Sequence, residues 1–131
     1  MITILADYNM NKQALLLWDT LNLSDWSELL RTEIVLFKDI GLPADTNDRD
    51  LWRFCQANNM LLITNNRSDN QVDSLERTIR EEGKADSLPV ITVGNLYRIR
   101  EKTYREKCVE KIVEIIIYLD NYRGTSRIYI P

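Results

Sequence analysis

The sequence predicts an α/β protein of three layers, in which a central, mainly parallel sheet of four to five strands lies between two layers of helices. Three observations lead to this prediction. Short apolar runs alternate with longer amphipathic segments, no repeat or linker interrupts them, and 131 residues suffice for one domain with its own core. We therefore expect a single domain over residues 1–131.

The predicted strands are short apolar runs bounded by polar or turn-forming residues. Four of them are buried strands, and a fifth closes an edge of the sheet: residues 2–6, 34–37, 60–63, 88–93 and 127–130. The predicted helices show apolar residues at spacings of three and four. They begin near residues 11 and 24 and cover about 47–58, 73–83 and 101–122, with Asn47 and Asp73 as capping residues.

Composition excludes several kinds of chemistry. The chain has 17 basic and 20 acidic residues, a net charge of −3, which argues against indiscriminate binding to nucleic acid. It has no histidine, so Ser-His-Asp and Cys-His catalysis and histidine-ligated zinc are excluded. Cys55 and Cys108 form no CxxC pair and are expected to be buried free thiols. Without a signal peptide or a long apolar run, the protein is expected to be cytoplasmic, with no membrane partner.

Acidic residues follow or precede the predicted strands at three places. Asp7 follows the first strand, Asp48 and Asp50 open a helix before the third strand, and Asp69 lies in the loop after it. The carboxyl ends of parallel strands share one edge of the sheet, so Asp7, Asp48 and Asp69 are expected to converge there. Clustered carboxylates favour Mg²⁺ or Mn²⁺, and such sites hydrolyse phosphodiesters.

Each acid also has an ordinary structural interpretation. Asp7 can begin a turn, Asp48 and Asp50 can cap a helix and compensate its dipole, and Asp69 can form an Asx turn. Singly, these interpretations are favoured. Acids at all three places on one edge of the sheet, in a chain without histidine, favour the interpretation as a metal-binding site.

Three stretches resemble PIN-like domains, in particular small bacterial PIN-like proteins of unknown function that are related to VapC-type toxin ribonucleases. They are "ILADYN", "VLFKDIGLPADTNDRDLWRFCQANN" and "MLLITNNRSDN", and the resemblance covers roughly residues 1–95. It implies an Mg²⁺- or Mn²⁺-dependent endoribonuclease, in some members the toxin of a toxin–antitoxin pair. Asp7 matches the first metal-binding aspartate of the family, and Asp48 the second, with Asp50 as a substitute.

The third motif of the family departs from its usual form here. Thr64 matches the threonine of this motif, but Asn66 stands where the family has an aspartate. An amide is a poorer ligand for a divalent cation than a carboxylate, and Asp69 is the residue that could supply the missing charge. The residues expected to contact substrate are Thr64, Asn65, Arg67 and Asn9.

A basic segment with interleaved tyrosines lies late in the chain and could contact single-stranded RNA. Its members are Tyr97, Arg98, Arg100, Lys102, Tyr104, Arg105 and Lys107. Neighbouring glutamates neutralise much of it, so the favoured interpretation is a solvated helix start.

The expected partners are single-stranded or structured RNA, with an antitoxin protein or a second copy of the chain left open. Self-association would use Trp18, Trp26 or Ile128, although core packing is the simpler role for these residues.

Three functional hypotheses remain. The first is the metal-dependent ribonuclease. The second is a PIN-like domain in which Asn66 has impaired catalysis, so that it acts by binding RNA or protein. The third is a flavodoxin-like or receiver-like domain. It is the weakest, because "ILADYN" lacks two adjacent acids and "VITVGN" lacks a lysine.

Overall fold

A computed structural model describes residues 1–66 and 72–131. Within these ranges it has one sheet of five parallel strands in the order β2-β1-β3-β4-β5, with helices on both faces. The strands are β1 Ile2–Ala6, β2 Thr32–Val35, β3 Met60–Thr64, β4 Val90–Val93 and β5 Arg127–Ile130. The three-layer α/β/α prediction is confirmed.

Seven α-helices and two 3₁₀ turns connect the strands in the described ranges. The helices are α1 Asn11–Asn22, α2 Ser27–Leu30, α3 Phe37–Ile40, α4 Asp48–Ala57, α5 Leu75–Glu82, α6 Lys102–Ile117 and α7 Leu119–Tyr122. The 3₁₀ turns are Tyr8–Met10 and Leu96–Arg100. Among these helices, none is long and apolar enough to cross a membrane.

The two faces of the sheet bury two separate apolar clusters, so the central strands are apolar at almost every position. On one face, residues such as Ile4, Ile63 and Ile91 pack against α1 and α6. On the other face, Leu5 and Leu62 pack against residues of α4 and α5. Residues that alternate along each strand therefore belong to different layers, and the face that carries Leu5 also carries Asp7.

The strand order creates a crevice beside β1. From β1 the chain crosses to β2 on one side, and it then returns to place β3 on the other side of β1. In doubly wound sheets, ligands bind outside the carboxyl ends of the strands at such a switch point. The same order occurs in flavodoxin-like folds, and the fold by itself does not decide between the functional hypotheses.

Five predicted boundaries were wrong, and one of them is the start of β4, which lies at Val90 rather than at residue 88. Strand β2 covers Thr32–Val35 rather than 34–37, because Phe37 already begins α3. Helix α2 begins at Ser27 rather than near residue 24. The predicted helix 101–122 ends at Ile117 and is followed by the separate turn of α7. Helix α5 is capped by Ser74 rather than Asp73, because the Asp73 carboxylate pairs with Arg49 at 3.1 Å.

Other predictions from the sequence are confirmed. Asn47 caps α4, since its Oδ1 accepts a hydrogen bond from the backbone N–H of Asp50 at 2.8 Å. Cys55 and Cys108 are free and buried. Ile128 is buried in the core, as the packing interpretation expects, whereas Trp26 is partly exposed.

Candidate active site

Asp7 is held in a buried position at the end of β1. Its backbone N–H donates to the carbonyl oxygen of Ile63 at 2.9 Å, which continues the pairing of β1 with β3 by one residue. Its side chain lies on the α4 face, and the residue is only 9% exposed. The carboxylate Oδ2 accepts a hydrogen bond from Thr64 Oγ1 at 2.7 Å. The first acid of the site is therefore fixed against the end of β3.

Asp48 is the first residue of α4 and faces the same crevice. Its Oδ2 accepts hydrogen bonds from Asn66 Nδ2 at 2.8 Å and from the backbone N–H of Leu75 at 3.3 Å. Asp48 therefore does more than compensate the helix dipole of α4. It joins the start of that helix to the chain that leaves β3 and to the start of α5.

Thr64 and Asn66 connect the two acids. The Thr64 hydroxyl donates to Asp7 and accepts from the backbone N–H of Asn66 at 3.0 Å. The Asn66 side chain then reaches Asp48. These four residues, Asp7, Asp48, Thr64 and Asn66, are called the acid cluster below. They lie at the β1/β3 switch point, where the topology favours a ligand.

The surroundings of Asp7 disfavour the ionised form of its carboxyl group. Burial raises the pKa of Asp7 above its ordinary value of 3.8, and the negative charge of Asp48 raises it further. Hydrogen bonds from Thr64 and from the backbone N–H groups of Tyr8 and Asn9 act in the opposite direction. Burial likewise raises the pKa of the Cys55 thiol to about 12, and the Asp7 charge contributes to this rise. A bound cation would offset this unfavourable field.

The oxygen donors of the acid cluster suit a hard divalent cation, but the described ranges supply only part of a ligand set. Within residues 1–66 and 72–131, no group of three or more Asp, Glu, Cys or His side chains is placed to hold a metal. Asp7 and Asp48 would be two ligands. Asn66 points its Nδ2 at Asp48, and rotation of this amide would present its oxygen instead.

The remaining predicted site residues lie in different surroundings. Asp50 and Asn9 are exposed, the first in the opening turn of α4 and the second in the 3₁₀ turn after Asp7, and Asn65 is half-buried beside Thr64. Asp69 and Arg67 lie outside the described residues. The structure thus brings together Asp7, Asp48, Thr64 and Asn66.

Arg127 has a buried side chain that contacts the site through Asn66, and the sequence did not single it out. It opens β5, and its side chain is 5% exposed. Its Nη1 donates to the carbonyl oxygen of Asn66 and to Thr92 Oγ1, both at 2.8 Å, and its Nη2 pairs with Glu76 at 2.7 Å. The feature of the sequence that could have pointed to Arg127 is its position as a cation at the start of an otherwise apolar strand.

Comparisons with known proteins add no identification. No family model, no curated protein and no solved structure matches this chain. The functional interpretation therefore depends on the side chains at the β1/β3 crevice and on the resemblance of the three motif stretches.

Proposed function

We propose that the protein is an Mg²⁺- or Mn²⁺-dependent endoribonuclease of the PIN-like type. The observation that carries this proposal is the acid cluster, in which two carboxylates from different elements, Asp7 and Asp48, are linked through Thr64 and Asn66. The cluster lies in the crevice where doubly wound sheets bind ligands.

The side chains of the cluster have separate roles in this proposal. Asp7 and Asp48 would hold the cation, Thr64 would fix the orientation of the Asp7 carboxylate, and Asn66 would position Asp48 or contribute its amide oxygen. When bound, a divalent cation activates water and stabilises charge that develops on a phosphate. The resemblance to PIN-like domains is what selects RNA as the substrate.

Asn66 supports a second candidate function. Its neutral amide donates a hydrogen bond from Nδ2 to an oxygen of Asp48, at the position where the resemblance implies a third carboxylate. A domain that binds RNA or a protein partner without cleaving would tolerate this arrangement. The protein partner in this second proposal would be an antitoxin or a second copy of the chain. We also propose a cytoplasmic location, where the two buried thiols would stay reduced.

Cleavage of a labelled single-stranded RNA in Mn²⁺, in Mg²⁺ and in EDTA tests the proposed function. We expect cleavage in either metal and none in EDTA, because the cation supplies the positive charge that the acid cluster lacks. Asp48→Asn, purified in parallel, is expected to cleave at least about 10-fold more slowly. Asp86→Asn is the charge-matched control, because Asp86 is exposed in the loop that enters β4 at the opposite edge.

Two results would contradict the ribonuclease. One is the absence of cleavage in every metal by a folded protein that still binds the RNA, which would favour the binding module. The other is cleavage that persists at the same rate in Asp48→Asn, which would identify a contaminating nuclease.

A further inference from the structure

Two exposed tyrosines lie at the edge of the sheet that carries the acid cluster. Tyr8 directly follows Asp7 at the end of β1 and is 47% exposed, and Tyr97 lies in the 3₁₀ turn after β4 and is 66% exposed. Both follow the carboxyl ends of parallel strands, so both belong to the same edge. Along this edge the end of β3, with Thr64, lies between them.

Both rings are supported by a second side chain. The Tyr8 ring packs against the buried Phe37 ring, with centroids 5.8 Å apart and planes inclined by 48°. The Tyr97 ring lies under the guanidinium of Arg100, whose Cζ is 4.0 Å from the ring centroid. Supported rings lose little conformational freedom when a ligand stacks on them, which favours binding.

Two other members of the basic segment, Tyr104 and Arg105, have structural roles. Tyr104 is buried, and its hydroxyl accepts a hydrogen bond from the backbone N–H of Asn95. The Arg105 guanidinium donates to Thr20 Oγ1 and to the carbonyl oxygens of Ile99 and Arg100. Of the two tyrosines in the segment, Tyr97 is thus the exposed one, and the exposed Arg100 stacks on it.

An aromatic ring that stacks with a guanidinium fits one class of ligand well. Bases of a single strand stack on tyrosine rings and on guanidinium planes, and a nearby cation contacts the phosphates between them. In a duplex the bases are already stacked on each other. With a net charge of −3, the chain as a whole does not attract a polyanion, so we expect stacking to supply much of the affinity.

We propose that a single-stranded nucleic acid crosses the carboxyl edge of the sheet with one base on Tyr8 and another on the Tyr97–Arg100 pair. The strand would pass over the end of β3 and the acid cluster. This inference rests on the proposed function for the identity of the strand as substrate, but the binding surface itself requires neither metal nor cleavage.

Fluorescence anisotropy of a labelled RNA oligonucleotide in EDTA tests the surface without cleavage. We expect Tyr8→Ala and Tyr97→Ala each to weaken binding about 5- to 100-fold, because each removes one stacked base. Tyr8→Phe and Tyr97→Phe keep the ring and are expected to bind like the wild type. The same RNA annealed to its complement is expected to bind more weakly than the single strand.

Tyr118→Ala is the matched control. Tyr118 is 54% exposed but lies after α6, beside Ile2 at the opposite edge of the sheet.

Equal dissociation constants for Tyr8→Ala, Tyr97→Ala and Tyr118→Ala would overturn the inference, as would equal affinity for the duplex. If the two tyrosine variants cleave and bind normally, the inference fails and the ribonuclease stands. If they lose binding in EDTA while the wild type shows no cleavage in any metal, the surface stands and the ribonuclease fails.

Discussion

Replacing Asp7 with asparagine is expected to lower the rate of metal-dependent RNA cleavage at least about 100-fold while making the protein more stable at pH 7. The amide oxygen of the new side chain can still accept the hydrogen bond from Thr64 Oγ1, so the local geometry is retained. The variant lacks the buried negative charge that Asp48 opposes. We expect the free energy of unfolding without divalent cations to rise by about 1 kcal/mol.

The gain in stability is expected to depend on pH with a definite sign. The folded chain holds the Asp7 proton more tightly than the unfolded chain, because burial and Asp48 raise the pKa of this carboxyl above 3.8. The stabilisation that the bound Asp7 proton gives the wild type is therefore lost as pH rises from 3.8 through the folded-state pKa. An asparagine side chain does not titrate, so Asp7→Asn is expected to be more stable than the wild type above this window and to lose its advantage below it.

Urea unfolding of the wild type and of Asp7→Asn at several pH values, in EDTA, measures this difference. Asp86→Asn is the control, because Asp86 is exposed and its replacement removes the same formal charge. A stability difference that stays constant from acid to neutral pH would contradict the role assigned to Asp7. Unchanged RNA cleavage by Asp7→Asn would contradict its role in the site.

Replacing Arg127 with alanine is expected to lower the free energy of unfolding by about 2–4 kcal/mol. The Arg127 side chain is 5% exposed and donates to Asn66, Thr92 and Glu76. Its removal leaves three acceptors without this donor, two of them in the part-buried contact with Asn66 and Thr92. An unpaired polar group away from water lowers the free energy of unfolding more than a lost surface contact does. RNA cleavage is expected to fall as well, because the Asn66 carbonyl loses an anchor beside the acid cluster.

Chemical unfolding of Arg127→Ala, Arg127→Lys and Arg53→Ala separates burial from charge. Lysine keeps the charge but cannot reproduce the forked contacts of a guanidinium, so Arg127→Lys is expected to lie between the wild type and Arg127→Ala. Arg53 is the control, because its exposed side chain pairs with Glu82 at 2.8 Å. If Arg127→Ala lowers the free energy of unfolding no more than Arg53→Ala does, the stabilising role of the buried Arg127 side chain is contradicted.

The layered fold and two of the acids could be predicted from the sequence because their signals are local. Apolar runs of four to six residues identify strands that are buried on both faces. Asp7 and Asp48 directly adjoin an element end, and element ends in a parallel sheet have predictable positions. The boundary errors arose where tertiary contacts override local preference, as at Asp73, which pairs with Arg49 instead of capping α5.

The long-range contacts of the site could not be predicted in this way. Arg127 reaches Asn66 across β4, and these two residues are 61 positions apart in the chain. Tyr8 gains its position from Phe37, and Tyr97 is singled out only because Tyr104 and Arg105 are used in packing. Periodicity assigns residues to faces of an element, but it does not show which distant side chains meet there.

The most direct test of the metal-binding acid cluster is Mn²⁺ binding by the intact chain, measured by electron paramagnetic resonance for the wild type, Asp7→Asn, Asp48→Asn and Asp86→Asn. We expect the wild type and Asp86→Asn to share one dissociation constant. Asp7→Asn and Asp48→Asn are each expected to bind at least about 10-fold more weakly, because each removes a carboxylate oxygen that the cation prefers. Equal Mn²⁺ affinity in all four proteins would contradict the account.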